Sequence, residues 1–392
     1  MMHHKVAFSK TATHTALPRD MQPMLVRPEI NPTCGGQGTV RPASPFDPKA
    51  DATRLHNAMK GVGTDKKALW SIICHRTNAQ RLDIGITYKT KFGKDLLREL
   101  FSELRGNFET VITALMFPPA DYDAYELHHA VSGLRTDEGT LIEILASRTP
   151  DEIRLIKESY RRIYDKSLEE TLEDDTSGRL RRLLAALCAA GRSETYVIDR
   201  VRAVQQAQDL YEAGVAKWGA VESIFNSILC AENYAQFQLI FAEYRKLAGH
   251  DIEDAIRKEF SGDAQKGMLA VLKCINNKPA YFAERIHQAM SGLGTKDRTL
   301  IRVIVSRCEI DMVQIKQEFF RMYGKTLEEY IELDTSGKYE DALLALVGAK
   351  KFSSPHRQSP EYIRRQSSNR PILFLLCFLT AYSFGKFHLG SH

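Results

Sequence analysis

The chain has 392 residues, of which 43% are apolar and 26% charged. This composition is enough for one large or two to three ordinary domains, and it excludes a chain that is disordered throughout. The seven cysteines are an odd number without a CxxC pair, which excludes a disulfide scaffold and favours a reducing compartment. No N-terminal secretory signal is readable, and the longest apolar stretch, 372–384, is too short to span a membrane. We therefore expect a soluble, cytoplasmic protein.

The net charge of +5 is unevenly distributed along the chain. Residues 1–50 hold six basic and three acidic side chains, and residues 353–392 hold five and one. The segment 51–352 is therefore left with a charge of −2. A nearly neutral body has no attraction for polyanions, so we predict no nucleic-acid partner.

The N-terminal region is rich in proline. Half of the fourteen prolines lie before residue 50, in the same stretch as Cys34-Gly-Gly-Gln-Gly. Such a composition is typical of an extended chain without a core. We predict a Pro-rich disordered arm over residues 1–45, which is either a spacer or a segment that docks a protein partner or regulates the body.

An internal repeat organises the rest of the chain. A step of 231 residues takes Arg307 back to Arg76, and a step of 159 takes it to Arg148. A step of 75 takes Gly294 to Gly219. Further residues match at the same steps, which indicates four units of about 70–75 residues. The predicted units are repeat 1 (46–117), repeat 2 (118–190), a linker with repeat 3 (191–275) and repeat 4 (276–352), followed by an atypical tail (353–392).

Apolar residues within a unit recur at the period of an α-helix. In repeat 2 this stripe comprises Ile153, Ile156, Tyr160, Ile163 and Tyr164. Repeat 4 shows the same offsets from Met312 to Tyr323. No sustained alternation and no Asn-Gly hairpin signal predicts a strand. The predicted fold class is all-α, with several short helices in each unit.

Three units pair a glycine-bearing loop with an acidic residue forty positions after its last glycine. The pairs are Gly63 with Glu103, Gly219 with Glu259, and Gly294 with Asp334. Glycines allow positive φ and can turn several carbonyls toward one point. Carbonyls with one carboxylate suit calcium, which takes six to eight oxygen ligands, and leave positions for an outside donor. The alternative is that the glycines form tight turns and the acids cap helices. Recurrence at one offset favours the metal site.

Four sequence motifs are distinctive. They are Met-Lys-Gly-Val-Gly-Thr-Asp at 59–65, Met-Ser-Gly-Leu-Gly-Thr-Lys-Asp at 290–297, Lys-Trp-Gly at 217–219, and Asp-Thr-Ser-Gly beginning at Asp175 and Asp334. With these motifs, residues 46–352 resemble the annexin family. The resemblance implies four repeats of about five helices each in a slightly curved disc. It also implies calcium-dependent, reversible binding to anionic phospholipid membranes, with a lipid phosphate completing the Ca²⁺ shell.

The resemblance further implies metal ligands in three repeats. In repeats 1 and 4 they are loop carbonyls and one carboxylate, from Met59, Gly61, Gly63 and Glu103, and from Met290, Gly292, Gly294 and Asp334. In repeat 3 they are Lys217, Gly219 and Glu259, a weaker set because Ala220-Val221 replaces the usual Thr-Asp. Trp218 lies inside this loop and resembles a family tryptophan that contacts the membrane interface. Packing in the core is the more common fate of tryptophan.

Repeat 2 departs from the annexin pattern. It carries Gly133-Leu134-Arg135-Thr136, with arginine where the last loop glycine belongs. A side chain there resists positive φ and brings a cation next to the metal position. We predict that this site is lost or much weakened, although Asp175 keeps the acidic position.

Other functions are less well supported by the residues. No catalytic motif is present, so we expect no enzyme. The main alternative is a protein-binding scaffold at membranes that acts through the N-terminal arm. An ion channel is a further alternative, because one charged set resembles the lining of the annexin central channel, although a salt-bridge network is the simpler interpretation. That set comprises Asp123, Glu126, Glu143, Arg148 and Arg302.

The C-terminal tail joins a basic stretch to the apolar residues from Ile372. Such a segment could bind a membrane surface without calcium. We favour the alternative that it is additional sequence unrelated to the repeats, because no feature of the repeats extends into it.

Overall fold

Helices dominate the computed structural model, which describes residues 36–349 apart from positions 62, 193–196, 216–219 and 293. Nineteen α-helices and no strands are found within these ranges. The all-α fold class and the four repeats of about five helices are thereby confirmed. No helix in the described part of the chain is both long enough and apolar enough to cross a membrane. Most of the predicted arm, 1–35, and the predicted tail, 353–392, lie outside the described residues.

Repeats 1 and 2 each contain five helices. Those of repeat 1 are α1 (Pro48–Met59), α2 (Lys66–Ile73), α3 (Asn78–Phe92), α4 (Leu96–Glu103) and α5 (Gly106–Ala114). Those of repeat 2 are α6 (Pro119–Val131), α7 (Glu138–Ser147), α8 (Pro150–Tyr164), α9 (Leu168–Asp175) and α10 (Gly178–Cys188).

Repeats 3 and 4 share one long helix, α15 (Gly262–Met290). It bends at Asn277, whose φ of −157° and ψ of 88° are not helical. The Asn277 side chain accepts a hydrogen bond from the backbone N–H of Ala280 at 3.0 Å and so caps the second half of α15. The other helices are α11 (Arg200–Val215), α12 (Ala220–Ala231), α13 (Tyr234–Ala248), α14 (Ile252–Glu259), α16 (Asp297–Arg307), α17 (Met312–Tyr323), α18 (Leu327–Asp334) and α19 (Gly337–Leu346).

The third helix of every repeat ends at a residue in the left-handed conformation. Glycine supplies it at Gly93, Gly249 and Gly324, with φ between 68° and 72°. Asp165 takes this position in repeat 2 with φ of 52°, a conformation that short polar side chains tolerate. Each repeat therefore leaves its third helix through the same turn.

The apolar stripes of the third helices pack into the core. Met312, Ile315 and Phe319 are fully buried, as are their counterparts in repeat 2. The stripe of repeat 4 is shorter than its sequence period suggests, because Met322 at its end is 37% exposed. The period therefore locates the buried face of the helix but not where burial stops.

The segment 36–45 packs against repeats 4 and 1, although the sequence places it in the disordered arm. The backbone N–H of Thr39 donates to the carbonyl of Cys308 at 2.8 Å. The side chain of Gln80 exchanges two hydrogen bonds of 3.0 Å with the backbone of Ala43. These residues are ordered because their backbone polar groups find partners on the repeats, which composition does not reveal.

Repeats 1 and 4 are far apart in sequence but share an interface. In it, α5 packs against α16 and α19. Arg81 is 2% exposed and donates to Glu309 Oε1 of repeat 4 at 2.9 Å. It also donates to the carbonyl oxygens of Ile73 and Leu115, each at 2.9 Å. One buried guanidinium thus links three segments of the chain.

Repeats 2 and 4 meet where α7 packs on α15, around buried ion pairs. Glu143 is fully buried and accepts from Arg302 at 2.8 Å and from Arg285 at 2.9 Å. Glu126 accepts from Arg298 at 2.8 Å and from Arg302 at 3.3 Å. All five residues pair across the two repeats, so the cluster fixes how repeats 2 and 4 dock.

The pKa values of the two buried glutamates shift in opposite directions, because burial and ion pairing compete at each of them. Burial opposes ionisation of Glu143, but Arg302 and Arg285 outweigh it and lower the pKa of Glu143 to about 2. Burial dominates at Glu126 and raises its pKa. Asp123 pairs with Arg148 at 2.7 Å. Every member of the charged set that resembles a channel lining is therefore ion-paired, which favours the salt-bridge interpretation.

Replacing Glu143 by glutamine should lower the free energy of unfolding by about 3–5 kcal/mol, because Arg302 and Arg285 would lose a buried charged partner. Urea unfolding monitored by circular dichroism measures the change. Because the pKa of Glu143 is lower in the folded state than its usual 4.5, the contribution is present above that pH and decreases as pH falls toward about 2. The difference between variant and wild type should shrink over the same interval.

The control for this prediction is an exposed ion pair. Glu253 and Arg257 are 43% and 51% exposed. Glu253→Gln should cost less than about 0.5 kcal/mol. Equal losses in the two variants would contradict the role of the buried cluster.

Candidate calcium sites

Loop 1 (residues 60–65) connects α1 to α2. Its two ends are tied together, because the backbone N–H of Asp65 donates to the carbonyl of Ala58 at 2.8 Å. Gly61 and Gly63 have φ of +103° and +88°, which side-chain-bearing residues rarely adopt. Apart from their chain neighbours, no described residue has a heavy atom within 4 Å of the position that a Cβ would take on either glycine. The backbone conformation, rather than lack of space, therefore requires glycine.

The structure brings Glu103 to loop 1. Glu103 is the last residue of α4, and its carboxylate is exposed. The hydroxyl of Thr64 donates a hydrogen bond to Glu103 Oε2 at 2.8 Å. The loop and the acid thus form one site although they are distant in sequence.

Loop 4 (residues 291–296) joins α15 to α16 and repeats this arrangement. The backbone N–H of Lys296 donates to the carbonyl of Ala289 at 2.8 Å. Gly294 has φ of +81°. The hydroxyl of Thr295 donates to Asp334 Oδ2 at 2.6 Å and lies 3.3 Å from its backbone oxygen.

The other ligands predicted for these loops can act only through the backbone. Met59 and Met290 end α1 and α15 and bury their side chains, which leaves their carbonyl groups as possible donors. A Cβ on Gly292 would lie 3.9 Å from the carbonyl oxygen of Gly294. The carbonyl oxygen of Gly294 therefore lies close to Gly292 within the loop.

All four acids occupy one structural position. Glu103, Asp175, Glu259 and Asp334 are the last residues of α4, α9, α14 and α18. Two extended residues follow each acid, and then a glycine with φ between +59° and +70° begins the next helix. This glycine, three residues after each acid, is a sequence signal shared by all four repeats. Among the distinctive sequence motifs, only the two Asp-Thr-Ser-Gly copies contain it.

Loop 2 (residues 132–137) differs from loops 1 and 4 in two respects. Arg135 does not adopt the left-handed conformation of its counterparts Gly63 and Gly294. The hydroxyl of Thr136 donates to the backbone oxygen of Asp175 at 3.2 Å, whereas the other two loops use the carboxylate. Loop 2 therefore lacks both the glycine conformation and the loop contact to a carboxylate.

Most of the site predicted in repeat 3 lies outside the described residues. This holds for Lys217, Trp218 and Gly219. Glu259 is described, at the end of α14, and its backbone oxygen accepts a hydrogen bond from Arg179 at 3.3 Å. Its position matches that of the acids in the other repeats.

Loops 1 and 4 offer the donor chemistry that calcium prefers. Within the described ranges, no group of three His, Cys, Asp or Glu side chains could hold a metal ion. The candidate donors are instead neutral carbonyl oxygens with one carboxylate at each loop. Hard oxygen donors suit calcium, whereas zinc and copper favour sulfur and imidazole ligands.

Three histidines, not noted from the sequence, lie one turn before these loops. His56, His128 and His287 stand three residues before the ends of α1, α6 and α15 and recur at the steps that define the repeat. The ring of His128 stacks on Tyr164 with centroids 3.7 Å apart, and its Nδ1 lies 3.2 Å from the hydroxyl of Tyr160. The other two also stack on an aromatic ring of the third helix. Burial lowers the pKa of His128 and of His287.

Known proteins share both the repeats and the fold. The sequence model of the family described as Annexin matches residues 50–115, 122–187, 205–271 and 281–346. Annexin A4 from Bos taurus is 50% identical over 311 residues, which cover 79% of this chain and 98% of that protein. The solved structure of annexin III has a TM-score of 0.79 and 42% identity, and covers 81% of this chain and 98% of that one. The structure of calcium-bound annexin (Sm)1 has a TM-score of 0.73 and 31% identity, and covers 80% and 93%.

The fold and the candidate sites define the class of protein first. This is an all-helical repeat protein in which an interhelical loop contacts the acid that ends the fourth helix of the same repeat. The matches to four successive repeats, at high identity and over most of the chain, specify the family within that class. The chain belongs to the annexin family. Annexins are in general calcium-dependent phospholipid-binding proteins.

Replacing His128 by phenylalanine should reduce the pH dependence of thermal stability. Because burial lowers the pKa of His128 below its usual 6.5, protonation favours the unfolded state, and wild-type stability should fall as pH decreases below that value. Phenylalanine can still stack on Tyr164 but cannot be protonated. The melting temperature of His128→Phe should therefore fall less than that of wild type between about pH 7.5 and 5.5.

The matched control for this prediction is His250→Phe, because His250 is exposed. It should leave the pH dependence unchanged. An unaltered slope in His128→Phe would contradict the role assigned to burial of that imidazole.

Proposed function

We propose that this annexin is a cytosolic protein that binds anionic phospholipid membranes peripherally and reversibly when calcium rises. One observation carries the proposal: in loops 1 and 4 a carboxylate from a distant helix end is hydrogen-bonded to a loop with a left-handed glycine. A helix cap would not need a glycine of positive φ on the opposite segment. A cation site built from carbonyls needs both features.

The ligands would come from two equivalent sets. They are the carbonyls of Met59, Gly61 and Gly63 with the carboxylate of Glu103, and the carbonyls of Met290, Gly292 and Gly294 with the carboxylate of Asp334. Each set supplies fewer oxygens than the six to eight that calcium takes. A bound calcium ion would therefore hold a lipid phosphate oxygen as well, and so bridge the protein and the membrane.

The charge of the body supports a role for calcium. Residues 51–352 carry a net charge of −2, which gives no attraction to an anionic surface. A divalent ion at each loop supplies the positive charge that the surface requires. A site with one carboxylate binds calcium weakly, so the ion dissociates and membrane binding reverses when calcium falls. While the membrane is bound, the lipid phosphate would raise the affinity of the site for calcium.

Repeat 3 would contribute a third, weaker site through Lys217, Gly219 and Glu259. The described position of Glu259, at the same helix end as Glu103 and Asp334, supports this proposal. Trp218 would contact the interfacial region of the membrane, where the indole ring finds both apolar and polar surroundings. The solved structure of calcium-bound annexin (Sm)1 supports the choice of metal.

The double variant Glu103→Gln, Asp334→Asn should need at least about tenfold more calcium than wild type to sediment with phosphatidylserine vesicles. The substitutions keep the size of each side chain but remove the single negative charge at each loop. They also make the protein less negative, so a purely electrostatic attraction to the vesicles would become stronger. Calcium bridging predicts the opposite, and vesicle sedimentation across a calcium titration distinguishes the two.

The matched control removes the same charges elsewhere. Asp151 and Glu158 are exposed in the first turn and near the middle of α8, and neither belongs to loop 1, loop 4 or the acids that face them. Asp151→Asn, Glu158→Gln should sediment as wild type does. Calcium-independent sedimentation of wild type, or identical titrations for the two double variants, would contradict the proposal. The scaffold alternative would be favoured by two results together. Both double variants would bind lipid as wild type does, and deletion of residues 1–35 would abolish binding of a protein partner.

Tryptophan fluorescence should report membrane contact at loop 3. The chain has two tryptophans, and Trp70 is buried with 6% exposure. In a Trp70→Phe variant, the emission of Trp218 should move to shorter wavelength when calcium and phosphatidylserine vesicles are both present, because the indole enters a less polar region. Vesicles that sediment the variant without changing its emission would show that Trp218 stays in water.

A further inference from the structure

Loop 2 keeps the backbone frame of the calcium loops although it lacks their glycine. The backbone N–H of Asp137 donates to the carbonyl of Ala130 at 2.8 Å, the same closure and distance found in loops 1 and 4. The hydroxyl of Thr136 still reaches the residue that ends the fourth helix, Asp175. Arginine in place of the loop glycine therefore changes the chemistry of loop 2, while the backbone hydrogen bond that closes the loop is kept.

The two side chains at the tip of loop 2 are exposed and do not pack on the described part of the chain. Leu134 is fully exposed, with a relative accessibility of 101%. Arg135 is exposed, and its side chain makes no hydrogen bond or ion pair with the described residues. A fully exposed leucine contributes neither to folding nor to solubility, so these two roles do not explain why it lies next to an exposed arginine. An apolar side chain next to a guanidinium is instead suited to the boundary between a headgroup layer and its acyl chains.

Loops 2 and 4 lie at the same end of the helices that meet between repeats 2 and 4. Arg298, in the first turn after loop 4, pairs with Glu126, near the end of α6 at loop 2. Arg285, near the end of α15 at loop 4, pairs with Glu143. A Cβ on Gly139, in the first turn after loop 2, would lie 3.9 Å from Arg285 Nη2. The helix ends that border the two loops are thus neighbours, so the loops share one surface.

We propose that loop 2 binds an anionic phospholipid without calcium, with the guanidinium of Arg135 holding the lipid phosphate and Leu134 entering the interfacial layer. The inference rests on the proposed function, because loops 1 and 4 must first bring this surface to the membrane. A guanidinium is permanently charged and can donate two parallel hydrogen bonds to a phosphate. In loop 2 the guanidinium of Arg135 thus binds the lipid phosphate, as the calcium ion does in the other loops.

The contribution of loop 2 should appear only after docking. The body has a net charge of −2, so one arginine does not hold it on a membrane when calcium is absent. Once loops 1 and 4 are bound, the phosphate contact becomes intramolecular and occurs at a high effective concentration. Arg135 should therefore change the affinity at saturating calcium rather than the number of calcium ions bound.

The test uses the full-length chain and phosphatidylserine vesicles at saturating calcium. Arg135→Gln should weaken binding about fivefold, as expected for one basic group near an anionic surface, and should make the affinity less sensitive to salt. Arg135→Lys should restore the salt sensitivity, because it restores the charge. Leu134→Ser should weaken binding without changing the salt sensitivity. Calcium stoichiometry, measured by isothermal titration calorimetry, should be the same for all the variants and wild type.

Arg154→Gln is the matched control, because Arg154 is 52% exposed on α8 and its removal changes the net charge equally. Arg135 has no partner in the described chain, so its replacement should leave the melting temperature unchanged. If Arg135→Gln and Arg154→Gln bind vesicles with equal affinity and salt dependence, the inference is wrong. Failure of wild type to sediment with calcium would instead overturn the proposed function, and this outcome is separate from the comparison of the variants.

Discussion

In loops 1 and 4, a threonine hydroxyl holds the acid that ends the fourth helix of the same repeat. The hydroxyl of Thr64 donates a hydrogen bond to the carboxylate of Glu103, and that of Thr295 donates one to the carboxylate of Asp334. Each bond joins segments that are 39 residues apart. The bond depends on the tied ends of the loop and on the glycine turn that follows the acid. Without it, a carboxylate at a helix end would have no fixed relation to the loop. A cation held by neutral carbonyls needs that single negative charge close by, so the proposed binding depends on this contact.

The sequence predicts those parts of the site that recur at a fixed spacing in the repeats. The forty-residue offset and the helical period are properties of the chain itself, so they needed no structure. The partners of the buried charges were not predictable in this way. Glu143 and Glu126 were singled out, but Arg285 and Arg298 were not, because pairing between distant segments leaves no local pattern. The order of residues 36–45 was missed for a related reason, since a Pro- and Gly-rich stretch has the same composition whether or not a surface satisfies its backbone.

The four repeats show how one fold can carry loops of different chemistry. The helix ends, the caps and the turn after each acid maintain the frame, and all lie outside the loop tip. Open space surrounds Gly63 and Gly294, so a side chain at this position changes the backbone conformation without disturbing the core. Loop 2 with Arg135 is one such variant. Repeat 3 is another, because Ala220 stands where the other repeats have the threonine that reaches the acid.

The N-terminal segment 36–45 also determines which part of the chain lies next to the end of repeat 4. A Cβ on Gly348 would lie 3.1 Å from the Cβ of Thr39, so the end of repeat 4 adjoins the segment that precedes repeat 1. Together with the packing of α5 on α16 and α19, this brings the two ends of the described body beside each other. A short linker between these two points would preserve every helix contact, and new termini could then be opened between other repeats. The order in which the repeats are synthesised is therefore separable from their arrangement in space, which makes this annexin a suitable scaffold for circular permutation.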